Sequence, residues 1–143
     1  MSAPASLRLA VAQPAVDREA DEEARVGDAT DLIALAGKEG SDLVLFPESY
    51  PGPITAGLDY DAAPAIAAAS REAGVATCWG RVEPTGDGRF VTVVLLTDRE
   101  GGEAGRVKEG AGLRPRPFTL HRASGATLVR QLASVLGVEE HRL

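Results

Sequence analysis

Glu48 is the residue best placed to do chemistry. It follows the apolar run Leu43-Val44-Leu45-Phe46, which stops at Pro47, so its carboxylate is delivered at a strand's end. In open α/β sheets the carboxyl ends of the strands are where ligands bind. A carboxylate held there by a rigid strand is a candidate general base; its ordinary alternative is a solvated loop carboxylate. Lys108, in Gly105-Arg106-Val107-Lys108-Glu109, is the second candidate. Close to Glu48, its ammonium would stabilise the oxyanion that develops when a carbonyl or nitrile carbon is attacked. The carboxylate would in turn keep the lysine charged. On its own, Lys108 is a surface lysine in a turn.

Other candidates fall away. Cys78 is the single cysteine and sits inside a predicted strand beside Trp79, where cysteine ordinarily serves as a small buried hydrophobe. His121 and His141 lack companion ligands at metal spacing, so no metal is expected. There is no P-loop and no Gly-x-Gly-x-x-Gly after a strand, so no cofactor is expected. Ser49 stands between Glu48 and Tyr50, without the glycines of a nucleophile elbow.

The elements that would position Glu48 and Lys108 follow from periodicity. Leu7, Leu9 and Val11 alternate with Arg8, Ala10 and Ala12 as a short strand, which Gln13-Pro14 stops. Asp17 is the expected N-cap of the next helix, with Glu19, Asp21, Glu22 and Glu23 near its positive end. Ala29, Leu32, Ile33 and Ala36 mark that helix's buried face, and Gly40 its C′ position. The strand ending at Phe46 completes a β-α-β unit, hence parallel strands. Pro51, Gly52 and Pro53 form a loop. Asp61 is the N-cap of a helix with Pro64 in its first turn, Ile66, Ala69 and Ala73 on one face, and Gly74 at its end.

Val75 to Trp79 is the third strand, and Thr85-Gly86-Asp87-Gly88 has hairpin-turn chemistry. Phe90 to Thr97 is a strand apolar on both faces, so covered on both. Arg99 to Gly102 turns the chain, and Ala104 to Val107 returns it. Beyond Gly110 the pattern weakens, with one further helix expected over Ala126 to Leu136.

Composition bounds the function. The chain has 143 residues and one cysteine, which excludes an internal disulfide and fits a reducing compartment. It lacks an apolar run of the roughly 18 residues that span a bilayer, and its first residues have neither the basic start nor the apolar core of a secretory signal. The expectation is a cytoplasmic protein with no membrane partner. A net charge of −6 argues against a nucleic-acid partner, which requires a basic surface. The charge is uneven: of the 21 acidic residues only Glu139 and Glu140 lie beyond position 110, against five arginines there. Residues 111–143 differ in kind from the first 110.

Taken together, the segments resemble the nitrilase superfamily, the carbon–nitrogen hydrolases. Leu7 to Gln13 is similar to the opening strand, and Asp42 to Glu48 to the segment bearing the catalytic glutamate. Gly80 and the strand from Phe90 to Thr97 are similar to the central strands, and Gly105 to Lys108 to the segment bearing the catalytic lysine. Coverage is residues 7 to 110.

The resemblance implies an α/β fold, part of an α-β-β-α sandwich, broken off after the lysine segment. It also implies a mechanism. A cysteine thiolate attacks the C–N carbon, Glu48 takes the thiol proton and later activates water, and Lys108 steadies the oxyanion, with no cofactor. The implied substrate is a small amide, nitrile or carbamoyl compound.

The chain departs from this pattern. Cys78 precedes Lys108, whereas the family's nucleophile follows the lysine, and Val91 stands where the family commonly carries Asn. Residues 1–110 are thus expected to be the N-terminal half of the hydrolase domain, inactive alone. Residues 111–143 are expected to be a divergent tail, either frameshifted or truncated coding sequence or a deliberate short ending. The rival reading is a non-enzymatic α/β module or pseudoenzyme that binds a partner or a second copy through an exposed sheet face; a further option is complementation in trans by a separate chain holding the second half.

Overall fold

The computed structural model describes residues 6–15, 21–55 and 58–108. Five strands form one sheet in chain order: β1 (Leu9–Val11), β2 (Leu43–Leu45), β3 (Ala76–Pro84), β4 (Phe90–Thr97) and β5 (Glu103–Lys108). Helix α1 (Arg25–Lys38) joins β1 to β2, and α2 (Ala63–Ala73) stands between β2 and β3. The pairs β1/β2 and β2/β3 are parallel, as β-α-β units require, whereas β3/β4 and β4/β5 are antiparallel and joined by short turns.

Both helices lie on one face of the sheet. Ala29 and Ile33 of α1 and Ile66 of α2 pack with Trp79, Val91, Val93 and Leu95. Beside them, Ala36 of α1 meets Val44 and Val75. The pleat sends the alternate residues Leu43, Ala76, Cys78 and Leu96 to the other face, where they are buried with Leu45, Val94 and Ala104 against them. The expectation of an exposed apolar face holds at the β1 edge, where Leu9 and Val11 stand open to solvent, and fails at the centre of the sheet.

The helix ends differ from expectation in detail. Asp17 and Glu19 lie outside the described residues, as do the tail helix, His121 and His141. The first capping carboxylate described is Asp21, which accepts from the Glu23 amide at the 3-10 turn Glu22–Ala24 leading into α1. At α2 the N-cap position falls on Ala62, which makes no side-chain cap bond; Asp61, one residue earlier, accepts from the Ala63 amide at 3.0 Å. Gly74 ends that helix at φ +66, a left-handed value that costs a residue with a Cβ about 1–2 kcal/mol.

Strands β3 and β5 run beyond their sequence-based bounds. β3 continues to Pro84 because Arg81, Val82 and Glu83 find ladder partners on β4 in Val93, Thr92 and Val91. Pro51 to Pro53 are not a free loop. Gly80 donates to the Tyr50 carbonyl at 2.9 Å, Gly52 donates to the Gly80 carbonyl at 3.2 Å, and Val82 donates to the Pro53 carbonyl at 2.7 Å. The segment after Glu48 therefore extends the line of β2 along β3.

Candidate active site

Glu48 rides on a bulge. The Phe46 amide still bonds the Cys78 carbonyl at 2.9 Å, and the Gly80 amide bonds the Tyr50 carbonyl, so Pro47, Glu48 and Ser49 are looped out opposite the single residue Trp79. Bulges of this kind re-aim side chains and occur beside active sites. The loop is tight: the Tyr50 amide bonds the Pro47 carbonyl at 3.2 Å, and buried Ser49 takes φ +55. The Phe46 and Tyr50 rings stack at 5.4 Å between centroids and brace the two ends. The Glu48 side chain is exposed and makes no hydrogen bond or ion pair among the described residues.

The chain beyond the bulge is fastened by a carboxylate that the sequence reading valued only for its place near a helix end. Glu22 accepts from the Ile54 amide, from Thr55 Oγ1 at 2.7 Å, from the Thr55 amide at 3.3 Å and from Tyr60 Oη at 3.1 Å. Tyr60 also reaches the Pro51 carbonyl at 2.9 Å. Burial pushes the Tyr60 hydroxyl well above its ordinary pKa, with Glu22 adding to it, so it stays a donor. Burial likewise pushes the Glu22 carboxyl up. The donors from Ile54, Thr55 and Tyr60 outweigh it and hold the group below the usual carboxylate range.

A carboxyl whose pKa is depressed on folding contributes stability above its unfolded value, roughly 4.3–4.5, and loses it as pH falls through the folded value. Glu22→Gln is therefore expected to cost about 1–2 kcal/mol at pH 7, once solvent screening of this half-buried group is allowed for. The gap from the parent protein should close below pH 4. Urea unfolding of both proteins at the two pH values checks this, and a gap that persists at low pH would refute it.

Lys108 is the last residue of β5 and is exposed. Register sets it opposite Val93, which is itself opposite Arg81. Directly opposed residues share a face, so Lys108 belongs to the helix-covered side with Arg106. Glu48 and Lys108 both leave the sheet at the carboxyl end of its parallel strands, but they are not brought into contact. No ion pair joins them, and three strand spacings of about 4.8 Å put roughly 14 Å between their strands.

Cys78 lies mid-strand on the face away from the helices. Burial pushes its thiol up to about 11, which favours the protonated form at neutral pH.

Asp42, at the opposite end of β2, is structural. It accepts from the Arg8 amide at 2.9 Å and pairs with Arg99 at 2.7 Å, tying β1 and the β4–β5 turn to β2.

A cavity of about 490 Å³ opens elsewhere, between Pro53, Leu58, Tyr60, Arg81, Glu83 and Phe90, and neither Glu48 nor Lys108 lines it. Its charges are largely spent on one another. Arg81 pairs with Asp61 at 2.8 Å and with Glu83 at 2.7 Å, and lies 5.5 Å over the Trp79 ring. Arg106 bridges Glu83 and Glu103. This brace ties the start of α2 to β3 and β3 to β5; Arg81–Glu83 and Glu103–Arg106 are close in sequence, whereas Asp61–Arg81 and Glu83–Arg106 join residues 20 and 23 positions apart, which no local periodicity reveals. Among the described residues no group of three or more potential ligands could hold a metal ion, and no helix is long and apolar enough to cross a membrane.

One helix layer on one face of a sheet that passes from parallel to antiparallel is shared with solved structures of the nitrilase superfamily. An amidase of that superfamily from Nesterenkonia sp. AN1 superposes with a TM-score of 0.65 at 22% identity, over 78% of this chain and 46% of that one. A carbon–nitrogen hydrolase from Helicobacter pylori G27 superposes with a TM-score of 0.57 at 14% identity, over 72% and 39%. One structure of the Nesterenkonia amidase holds butyramide, and another carries acrylamide added at its active-site cysteine. The chain thus has the nitrilase-type fold and spans about half the length of the solved structures it matches. No family model and no curated protein matches it.

Proposed function

We propose that residues 1–110 are the N-terminal half of a carbon–nitrogen hydrolase, acting on a non-peptide C–N bond in a small amide, nitrile or carbamoyl compound. Glu48 is the general base and Lys108 the oxyanion partner. The observation that carries this reading is the bulge at the end of β2, which presents a carboxylate free of partners among the described residues within a nitrilase-type sheet. The nucleophile belongs to the other half of the fold. A thiol is only a few per cent ionised at neutral pH and needs a base beside it, and Glu48 supplies that base. The β1 edge, where Leu9 and Val11 stand open to solvent, is where the complementing half would begin to pack.

The test is reconstitution. The purified chain is expected to release no ammonia from butyramide or acetamide. The chain co-expressed with a second-half chain bearing the family's cysteine is expected to associate with it and release ammonia. Failure of the two to associate overturns the reading and leaves the non-enzymatic module in its place; turnover by the isolated chain overturns the assignment of the nucleophile to the other half.

A further inference from the structure

We infer that Gly80 is a positioning residue that seats the Glu48 carboxylate; the inference rests on the reading of Glu48 as the base. Gly80 is buried on β3, where it pairs with Val94. Its amide and carbonyl both bond the chain just beyond the bulge, through Tyr50 and Gly52. The peptide that links Glu48 to Ser49 lies directly against its Cα. A Cβ at position 80 would stand 2.7 Å from the Ser49 nitrogen, 3.0 Å from the Ser49 Cα and 3.3 Å from the Val93 carbonyl oxygen.

These three neighbours are backbone atoms, so no rotamer change relieves the contact. Phe46 pins one side of the bulge to Cys78 and Tyr50 pins the other to Gly80, so the bulge cannot retreat as a body. Non-bonded heavy atoms rest at about 3.5–4.0 Å, so a methyl group here drives the Glu48–Ser49 peptide away by more than roughly half an ångström. Misplacement of a reacting group by about 1 Å costs on the order of 10²-fold in rate. Glycine at position 80 is therefore what lets the peptide lie close enough for the carboxylate to hold its place.

The experiment compares Gly80→Ala with Gly27→Ala, whose added methyl meets nothing within 4 Å. In the reconstituted pair, Gly80→Ala is expected to lower kcat by about 10–100-fold with KM changed less than about threefold. Gly27→Ala should leave both unchanged. In the isolated full chain, the amide NMR signals of Phe46, Glu48, Ser49 and Tyr50 should move in Gly80→Ala, while those of Ile33 and Leu95 stay in place. A kcat within twofold of the parent protein, or unmoved bulge signals, overturns the inference.

If Gly80→Ala does not fold, the same change is made in a Ser49→Gly background, where the left-handed position carries no Cβ and the bulge has room to slide. A folded double variant as fast as Ser49→Gly alone overturns the inference, and a tenfold or greater loss upholds it. If the parent pair releases no ammonia, the base assignment fails by itself, and the amide signals still decide whether Gly80 sets the bulge.

Discussion

Glu48→Gln is expected to lower the turnover of the reconstituted pair by about 10²–10⁴-fold, the range over which a positioned general base acts. Glutamine keeps the shape and hydrogen-bonding reach of the side chain but takes no proton from a thiol. KM should change little, because the carboxylate works on the nucleophile and water and contributes little to substrate binding. The substitution should leave stability within about 0.5 kcal/mol, since Glu48 is exposed and has no partner among the described residues. Steady-state ammonia release and urea unfolding of the same preparations check both halves. A fall of less than tenfold removes Glu48 from the chemistry, and a large loss of stability would mean that the carboxylate holds the fold instead.

The largest expected effect on stability is at Trp79. Its ring is 2% exposed, packs against Ile33, Ile66 and Val93, and lies under the Arg81 guanidinium. Its Nε1 donates to Thr97 Oγ1 at 3.0 Å in the interior. Trp79→Ala removes this volume at about 3–5 kcal/mol. It also strands the Thr97 hydroxyl, at about 1–3 kcal/mol more. Domains of this kind hold about 5–15 kcal/mol in total, so Trp79→Ala is expected to lose about half or more of the stability. Trp79→Phe keeps most of the packing, loses only the hydrogen bond, and should cost about 1–3 kcal/mol. Circular dichroism in urea measures both, because the variants lack the chain's single tryptophan as a fluorescent probe. A cost below 2 kcal/mol for Trp79→Ala would mean the ring is not central to the core.

Much of this was legible in the sequence wherever local pattern and tertiary packing agree. β4 stood out because Val91, Val93 and Leu95 alternate with Val94 and Leu96, and both sets are buried or half-buried. The first helix stood out because Ala29, Ile33 and Ala36 share a face. Glu48 stood out because Pro47 ends an apolar strand.

What the sequence hid is non-local. Pro51 and Pro53 looked like loop residues because they lack an amide. Pairing with β3 uses only the Tyr50 and Pro53 carbonyls and the Gly52 amide, so the prolines sacrifice nothing there. Gly80 was marked only as part of a central strand, because its contact with the bulge comes from a peptide more than 30 positions earlier. Glu22 was valued for its place near a helix end, whereas its partners Ile54, Thr55 and Tyr60 are set by the fold. Lys108 was expected to act close to Glu48. The sheet carries them to one end but keeps them three strands apart, because β3 and β4 lie between their strands.

Each strand's neighbour in space is also its neighbour along the polypeptide. Closing each new pair therefore spans at most one helix and its connections, which keeps the entropic toll of every closure small. A ribosome releasing this sequence from its amino terminus can add strands one at a time along a single growing edge, and none of the five must wait for a distant partner before it docks.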